Sequence, residues 1–144
     1  MSVHRRPVGR ARLLAAVGAL VVLAGSVPPW WTAGTTEAGL PPISGYAFDG
    51  TWILVFLVAL ATLALITLPY AGDRPVGLDR WWAYAGLTAI GWVALVASMA
   101  GVVTEPGGFG TITPDRAPGL WLSVLGLVIL TRSAFSIWTQ PSRD

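Results

Sequence analysis

Between Trp81 and Val103 the chain carries no charged side chain. At about 1.5 Å per residue, a helix of that length reaches across a hydrocarbon core about 30 Å thick. Three further runs share this character: Leu13–Trp31, Thr51–Tyr70 and Gly119–Trp138, the last interrupted only by Arg132. Only 11% of the 144 residues are charged, against about 25% in an average soluble domain. Mean hydropathy is +0.66. So small a soluble protein has to cover a large surface with polar groups, and this chain has too few; lipid is the solvent that fits. The sequence therefore predicts an all-α, integral membrane four-helix bundle. Its spans cover about 13–31, 51–70, 81–103 and 119–138, forming a transmembrane domain over 13–138. A basic tail, 1–12, precedes it and a short tail, 139–144, follows.

The stretches 28–50, 71–80 and 104–118 are rich in Gly, Pro and Thr and read as loops. Pro69 falls at the end of the second run, where it stops a helix without breaking one. The first run crosses the membrane only if it stays helical through Pro28 and Pro29.

Arginine sets the orientation. Arg5, Arg6, Arg10, Arg12, Arg74, Arg80, Arg132 and Arg143 fall on one side if the spans alternate, and Arg116 alone falls on the other. Short loops rich in Lys and Arg stay cytoplasmic, which places both termini and the middle loop inside, in the plasma membrane. Tryptophan and tyrosine prefer the headgroup level. Trp30, Trp31, Trp52 and Trp121 fall at expected outer ends, and Tyr70, Trp81, Trp82 and Trp138 at inner ends. All are read as interfacial anchors, and only Trp92 lies near a helix middle. The first run also resembles a signal peptide, with a basic n-region and a small-residue Ala24-Gly25-Ser26 site, and Arg5-Arg6 hints at a twin-arginine signal. The alternative is a retained helix.

An internal match favours retention. Arg12 aligns with Arg80, Ala15 with Ala83 and Gly18 with Gly86. Thr36-Glu37-Ala38-Gly39 aligns with Thr104-Glu105-Pro106-Gly107, and, after one inserted residue, Gly50-Thr51-Trp52-Ile53 with Gly119-Leu120-Trp121-Leu122. The expectation is a duplicated helical hairpin, its two copies related by a pseudo-two-fold axis along the membrane normal. Ala11, Ala15 and Ala19 on the first span, and Ala85, Ala89, Ala97 and Gly101 on the third, form small-residue stripes that let helices approach closely in lipid. Spans one and three are expected near the centre, with spans two and four facing lipid more; the stripes equally suit a dimer seam.

Sites for chemistry are scarce. Cysteine is absent, which removes disulfides, thiolate metal sites and cysteine nucleophiles. The single histidine, His4, lies in the tail, so neither a Ser/His/Asp arrangement nor a histidine metal pair exists. No span contains Asp, Glu or His, the titratable groups that proton-coupled transport places near the midplane. Arg132, near the inner end of span four, is read as snorkelling to the interface, the alternative being a functional buried arginine. Glu37, Asp49, Glu105 and Asp115 collect on the outer side. They either bind a cation through oxygen ligands or are solvated loop charges, and the second is favoured. Gly107-Gly108-Phe109-Gly110 lacks the Gly-Lys-Ser/Thr ending of a phosphate loop. The net charge of +2 does not indicate nucleic-acid binding, because the N-terminal arginines are suited to anionic headgroups.

Pro29-Trp30-Trp31 closing span one, Ser44-Gly45-Tyr46 with Asp49-Gly50 before span two, and Gly119-Leu120-Trp121-Leu122 opening span four form a recognisable set. By these motifs the chain, over roughly residues 12–138, resembles the small uncharacterised four-helix membrane proteins common in actinobacteria. More weakly it resembles the tryptophan-associated transmembrane protein family, which has a similar Pro-Trp-rich end to its first span. The absence of Lys and Asn beside abundant Ala, Gly, Arg, Pro and Val fits a GC-rich genome. The resemblance implies fold and location, and implies no catalytic residues.

The function expected from sequence is a non-enzymatic accessory or scaffold protein without catalytic, cofactor or metal residues. Its partners would be the lipid bilayer and other membrane proteins or a second copy of itself. The alternative is an oligomeric transport or channel component, with Thr62, Thr88, Ser98 or Ser123 lining a polar path.

Overall fold

The computed structural model describes residues 9–34, 39, 41–71, 80–105 and 108–139. The chain is mostly helical. Helix α1 spans Arg10–Gly25, α2 Ile53–Ala71, α3 Trp81–Val103, α4 Gly108–Thr111 and α5 Pro118–Trp138. Three helical segments, Gly50–Ala71, Trp81–Val103 and Pro118–Trp138, are long and apolar enough to cross a membrane. They match the expected second, third and fourth runs closely. The second runs through Pro69 to Ala71 instead of stopping there. Pro69 has no N–H for the Leu65 carbonyl and its ring crowds that group, so it marks the last turn and the helix ends two residues later.

The first run differs. Helix α1 is 16 residues long and ends at Gly25, so it rises about 24 Å. It does not stay helical through Pro28 and Pro29. The chain turns at Ser26, and Trp31–Ala33 (β1) pairs antiparallel with Ile43–Gly45 (β2), Trp31 opposite Gly45 and Ala33 opposite Ile43. The prolines force this break, since neither offers an N–H to continue the ladder. The all-α expectation is corrected to this extent: a small two-stranded sheet stands where an unstructured loop is expected. Glycine meets the backbone demand at the start of α2, where Gly50 has φ +65° and opens a single 3-10 turn, Gly50–Trp52.

The four long helices close a ring. Helix α1 packs on α5 and α2, and α3 packs on α5 and α2. The closest contact is between α1 and α5, and a seven-residue rhythm on both explains it. Ala11, Ala15, Gly18, Val22 and Gly25 are buried on α1; Gly119, Ser123, Gly126, Leu130 and Ser133 are buried on α5. Alternating steps of three and four residues place each set along one seam. Small side chains let the backbones meet. A Cβ on Gly18 would come within 3.0 Å of the Gly126 carbonyl oxygen, and one on Gly25 within 2.7 Å of Ser123 Oγ. Ser133 Oγ donates to the Ala11 carbonyl at 2.7 Å. Ala11 thus lies against Ser133 and Gly25 against Ser123, so the helices run antiparallel. The same reading holds for α3 against α5, where Trp92 Nε1 donates to Thr131 Oγ1 at 3.0 Å while Trp81 and Trp138 meet farther along.

This packing corrects the expected placement of the helices. The stripe on α1 meets α5, not α3, and α5 is a main packing helix that buries one face against α1 and α3 while leaving Leu125, Val128 and Phe135 exposed on another. On α3, Ala89, Ala97 and Gly101 face outward. The two halves also differ where a two-fold axis would equate them. Gly18 touches the α5 backbone, while Gly86, its counterpart, has no atom within 4 Å of an added Cβ. Trp52 is 5% exposed and Trp121 46% exposed. Helix α1 ends at Gly25, whereas α3 continues to Val103. The halves share the hairpin plan, but their exchange is not a symmetry of the packing.

Candidate functional site

Antiparallel packing sorts the loops to two ends. One end holds the break after α1, the small sheet, the 3-10 turn, α4 and the start of α5. The other holds the start of α1, the end of α2, the start of α3 and the end of α5.

At the first end Trp30 is a plug, not an interfacial anchor. It is fully buried and stands edge-on to Trp52 with ring centroids 5.0 Å apart. Its indole N–H donates to the Gly25 carbonyl at 2.8 Å, satisfying one of the acceptors that a helix C-terminus leaves open. Its backbone N–H donates to Gly45 at 2.8 Å, and Gly119 N–H donates to the Pro29 carbonyl at 3.0 Å. Thr32 Oγ1 donates to the Arg116 carbonyl at 2.8 Å. A Cβ at Gly119 would collide with the carbonyls of Pro28 and Gly25, so only glycine allows the Pro28–Trp30 segment to cross the start of α5. Trp31 is half-buried. Trp81, Trp82, Trp121 and Trp138 are exposed, with the Trp121 indole donating to the Ile112 carbonyl at 2.9 Å.

The outer carboxylates do not converge into a ligand set in the described residues. Glu37 lies outside them, as do His4, Arg5, Arg6, Arg74, Arg143 and Gly107. Asp49 is a turn residue: Oδ2 accepts from Tyr46 N–H at 2.7 Å. The Asp115 carboxyl is fully exposed and held below its ordinary value of 3.8 by a hydrogen bond from the Thr113 side chain, then by its own backbone amide; desolvation opposes these, and the charge of Arg116 adds the least. Glu105 lines a cleft of about 280 Å³ with Trp31, Ala33, Val102 and Thr111. Among the described residues no three His, Cys, Asp or Glu side chains group as metal ligands.

The interior hydroxyls are mostly held within the protein. Thr62 donates to Val58 at 2.8 Å and Thr88 to Tyr84 at 2.7 Å. Ser98 and Thr51 share a hydrogen bond of 2.6 Å that ties α3 to the start of α2. Ser123 Oγ is buried without a partner, pressed against Gly25. Arg132 is exposed on α5.

Two apolar grooves flank α3 on its outer side, toward the second end. One, about 410 Å³, lies between α2 and α3 under Trp82. The other, about 370 Å³, lies between α3 and α5 under Trp81 and Trp138. Neither groove is among the features expected from the sequence. The signal was the cluster Ala85, Gly86 and Ala89 below a tryptophan pair, which leaves a helix without bulk on that face.

Compared with protein-family models, curated proteins and solved structures, the chain matches none. What its fold defines is a class: a mostly helical protein with three helices apolar and long enough to span a bilayer.

Proposed function

We propose that the chain is a multi-pass protein of the plasma membrane, a four-helix bundle with both termini cytoplasmic, serving as a non-enzymatic accessory or scaffold protein. The observation that carries the membrane part is the apolar outer surface. Leu20 on α1, Leu57 on α2, Val93 on α3 and Leu125 on α5 are each more than two-fifths exposed, and contiguous apolar surface on this scale marks contact with lipid or partners. Helix α1 is short for a span, but the non-helical segment after it has its backbone bonded to Gly45 and Gly119. Irregular backbone is tolerated at membrane depth where it is buried in protein, so α1 with its Pro28–Trp30 extension serves as the fourth crossing.

The scaffold reading rests on an interior given to packing. Small residues bring α1 and α5 into backbone contact, and the hydroxyls of Thr62, Thr88 and Ser98 are engaged by the protein itself. A transport component would leave such groups open to a path. Crosslinking in native membranes, followed by identification of the co-purified proteins, is the test. A reproducible membrane-protein partner, or a second copy, supports the scaffold role; recovery of lipid alone counts against it.

A further inference from the structure

The two grooves beside α3 have features that single out one occupant. Each begins at a tryptophan near the start of the helix: Trp82 for the α2–α3 groove, Trp81 for the α3–α5 groove. The second groove runs down to Trp92, a rise of about 16 Å at 1.5 Å per residue, close to half of a core about 30 Å thick. It therefore has the depth of one leaflet. Its floor is closed where the Trp92 indole donates to Thr131 Oγ1 at 3.0 Å. Its upper end is bridged by Trp81 and Trp138, whose rings meet with centroids 6.3 Å apart, so the groove opens sideways from the helix surface. Between the grooves α3 presents Gly86 and Ala89, with Trp82 above and Val93 below them; a Cβ added to Gly86 would meet no atom within 4 Å.

Charge marks the same place. Arg80 immediately precedes Trp81, is exposed, and makes no side-chain capping bond to its own helix. Arg132 is exposed on α5 beside Thr131, at the depth of the groove's floor, and does not line the groove. The described carboxylates, Asp49, Glu105 and Asp115, belong to the opposite end of the molecule, while Asp79, next to Arg80 in the sequence, lies outside the described residues.

We propose that the first half of α3 binds one anionic phospholipid of the arginine-side leaflet, its two acyl chains lying in the two grooves and its phosphate at Arg80. Two slender grooves joined over a small-residue ridge suit two chains that meet at a headgroup. A partner helix, about 10 Å across, needs one broad groove instead. The positive side chain of Arg80, at the start of α3, selects a headgroup with net negative charge. This inference rests on the membrane reading above.

The test uses the full-length protein. It is first shown to stay in membranes through an alkaline carbonate wash; release at that step removes the membrane reading itself, before any lipid is scored. The protein is then purified in detergent and examined by native mass spectrometry with dioleoyl phosphatidylglycerol or dioleoyl phosphatidylcholine. One phosphatidylglycerol per chain should be retained in preference to phosphatidylcholine. Arg80→Gln should cut that preference about fivefold, the ratio that roughly 1 kcal/mol per arginine near the headgroups represents. Ala89→Trp, at an exposed position, should remove stoichiometric retention of both lipids while the protein stays monodisperse. Equal retention of the two lipids by the unaltered chain overturns the proposal, as does full retention by Ala89→Trp. Efficient disulfide crosslinking of Ala89→Cys between copies in membranes, clean in a chain without cysteine, also overturns it by giving the face to a second protomer.

Discussion

Two buried serines on α5 illustrate how a single hydroxyl stabilises or strains a helix contact. Ser133 donates to the Ala11 carbonyl across the seam at 2.7 Å, while Ser123, equally buried, has no partner. An interhelical hydrogen bond in a membrane protein contributes about 0.6 kcal/mol on average, and a buried unsatisfied polar group costs about 1–3 kcal/mol. Ser133→Ala should therefore lower stability by somewhat under 1 kcal/mol, and Ser123→Ala should raise it by about 1 kcal/mol. Equilibrium unfolding in mixed micelles reads both, and equal losses for the pair would contradict the assignment. At the loop end, Asp115 titrates below 3.8 chiefly because Thr113 donates to its carboxylate. Its folded value is depressed, so the associated stabilisation is fully present above the unfolded value and is lost as pH falls through the folded one. NMR titration should place the Asp115 midpoint below 3.8, and Thr113→Val should move it upward. The group is fully exposed, so solvent keeps its effect on global stability slight.

At the scale of elements, the seam between α1 and α5 decides the fold. Gly126 lies where an added Cβ would come within 2.8 Å of both the Gly18 carbonyl oxygen and the Val22 amide nitrogen. Backbone atoms yield less than side chains, so Gly126→Val should cost about 3 kcal/mol, the upper part of the usual overpacking range. Gly101 faces open space, and Gly101→Ala there should be neutral or stabilising by a few tenths of a kcal/mol to about 1 kcal/mol. Thermal unfolding of the two variants in one detergent separates the effects. The sequence makes the long helices easy to see and this seam hard to see, for one physical reason. Uncharged runs such as Trp81–Val103 declare themselves because hydrocarbon forces the backbone to bond within its own segment. Lipid and protein interior are alike apolar, so hydropathy does not tell which face of α5 meets α1. The spacing of Gly119, Ser123, Gly126, Leu130 and Ser133 carries that information, in steps of three and four hidden among leucines and valines. The end of α1 is obscured in a similar way. Pro28-Pro29-Trp30-Trp31 is as apolar as a helix, and only the packing shows that Trp30 turns inward to meet Gly25 while Trp31 starts a strand. The grooves beside α3 were written as a small-residue stripe, but a stripe alone does not say whether it is filled by a neighbour or left open.

For the molecule as a whole, charge is divided between the two ends more sharply than its total of +2 conveys. Arg10, Arg12, Arg80 and Arg132 belong to the end where α1 and α3 begin, and Arg116 to the other, where Asp49, Glu105 and Asp115 also lie. Positive charge resists translocation and is drawn to the anionic cytoplasmic leaflet, while acidic residues weigh little in that choice. The arginine end should therefore be cytoplasmic and the end carrying the small sheet external. The absence of cysteine makes this directly measurable. Pro41 and Thr139 are exposed at opposite ends, so Pro41→Cys should react with a membrane-impermeant maleimide in intact cells, and Thr139→Cys only after the membrane is permeabilised. The reverse pattern would invert the proposed orientation and move the Arg80 headgroup site to the outer leaflet. Labelling of both positions from outside would mean an even number of crossings between them, leaving one of α2, α3 and α5 unable to span. Helix α1 precedes both positions; failing to span, its 16 residues would lie along the interface instead of against α5. The Gly18–Gly126 and Gly25–Ser123 contacts argue against that outcome, because a helix lying in the interface plane has no means of pressing its backbone along the full length of a helix that crosses the core.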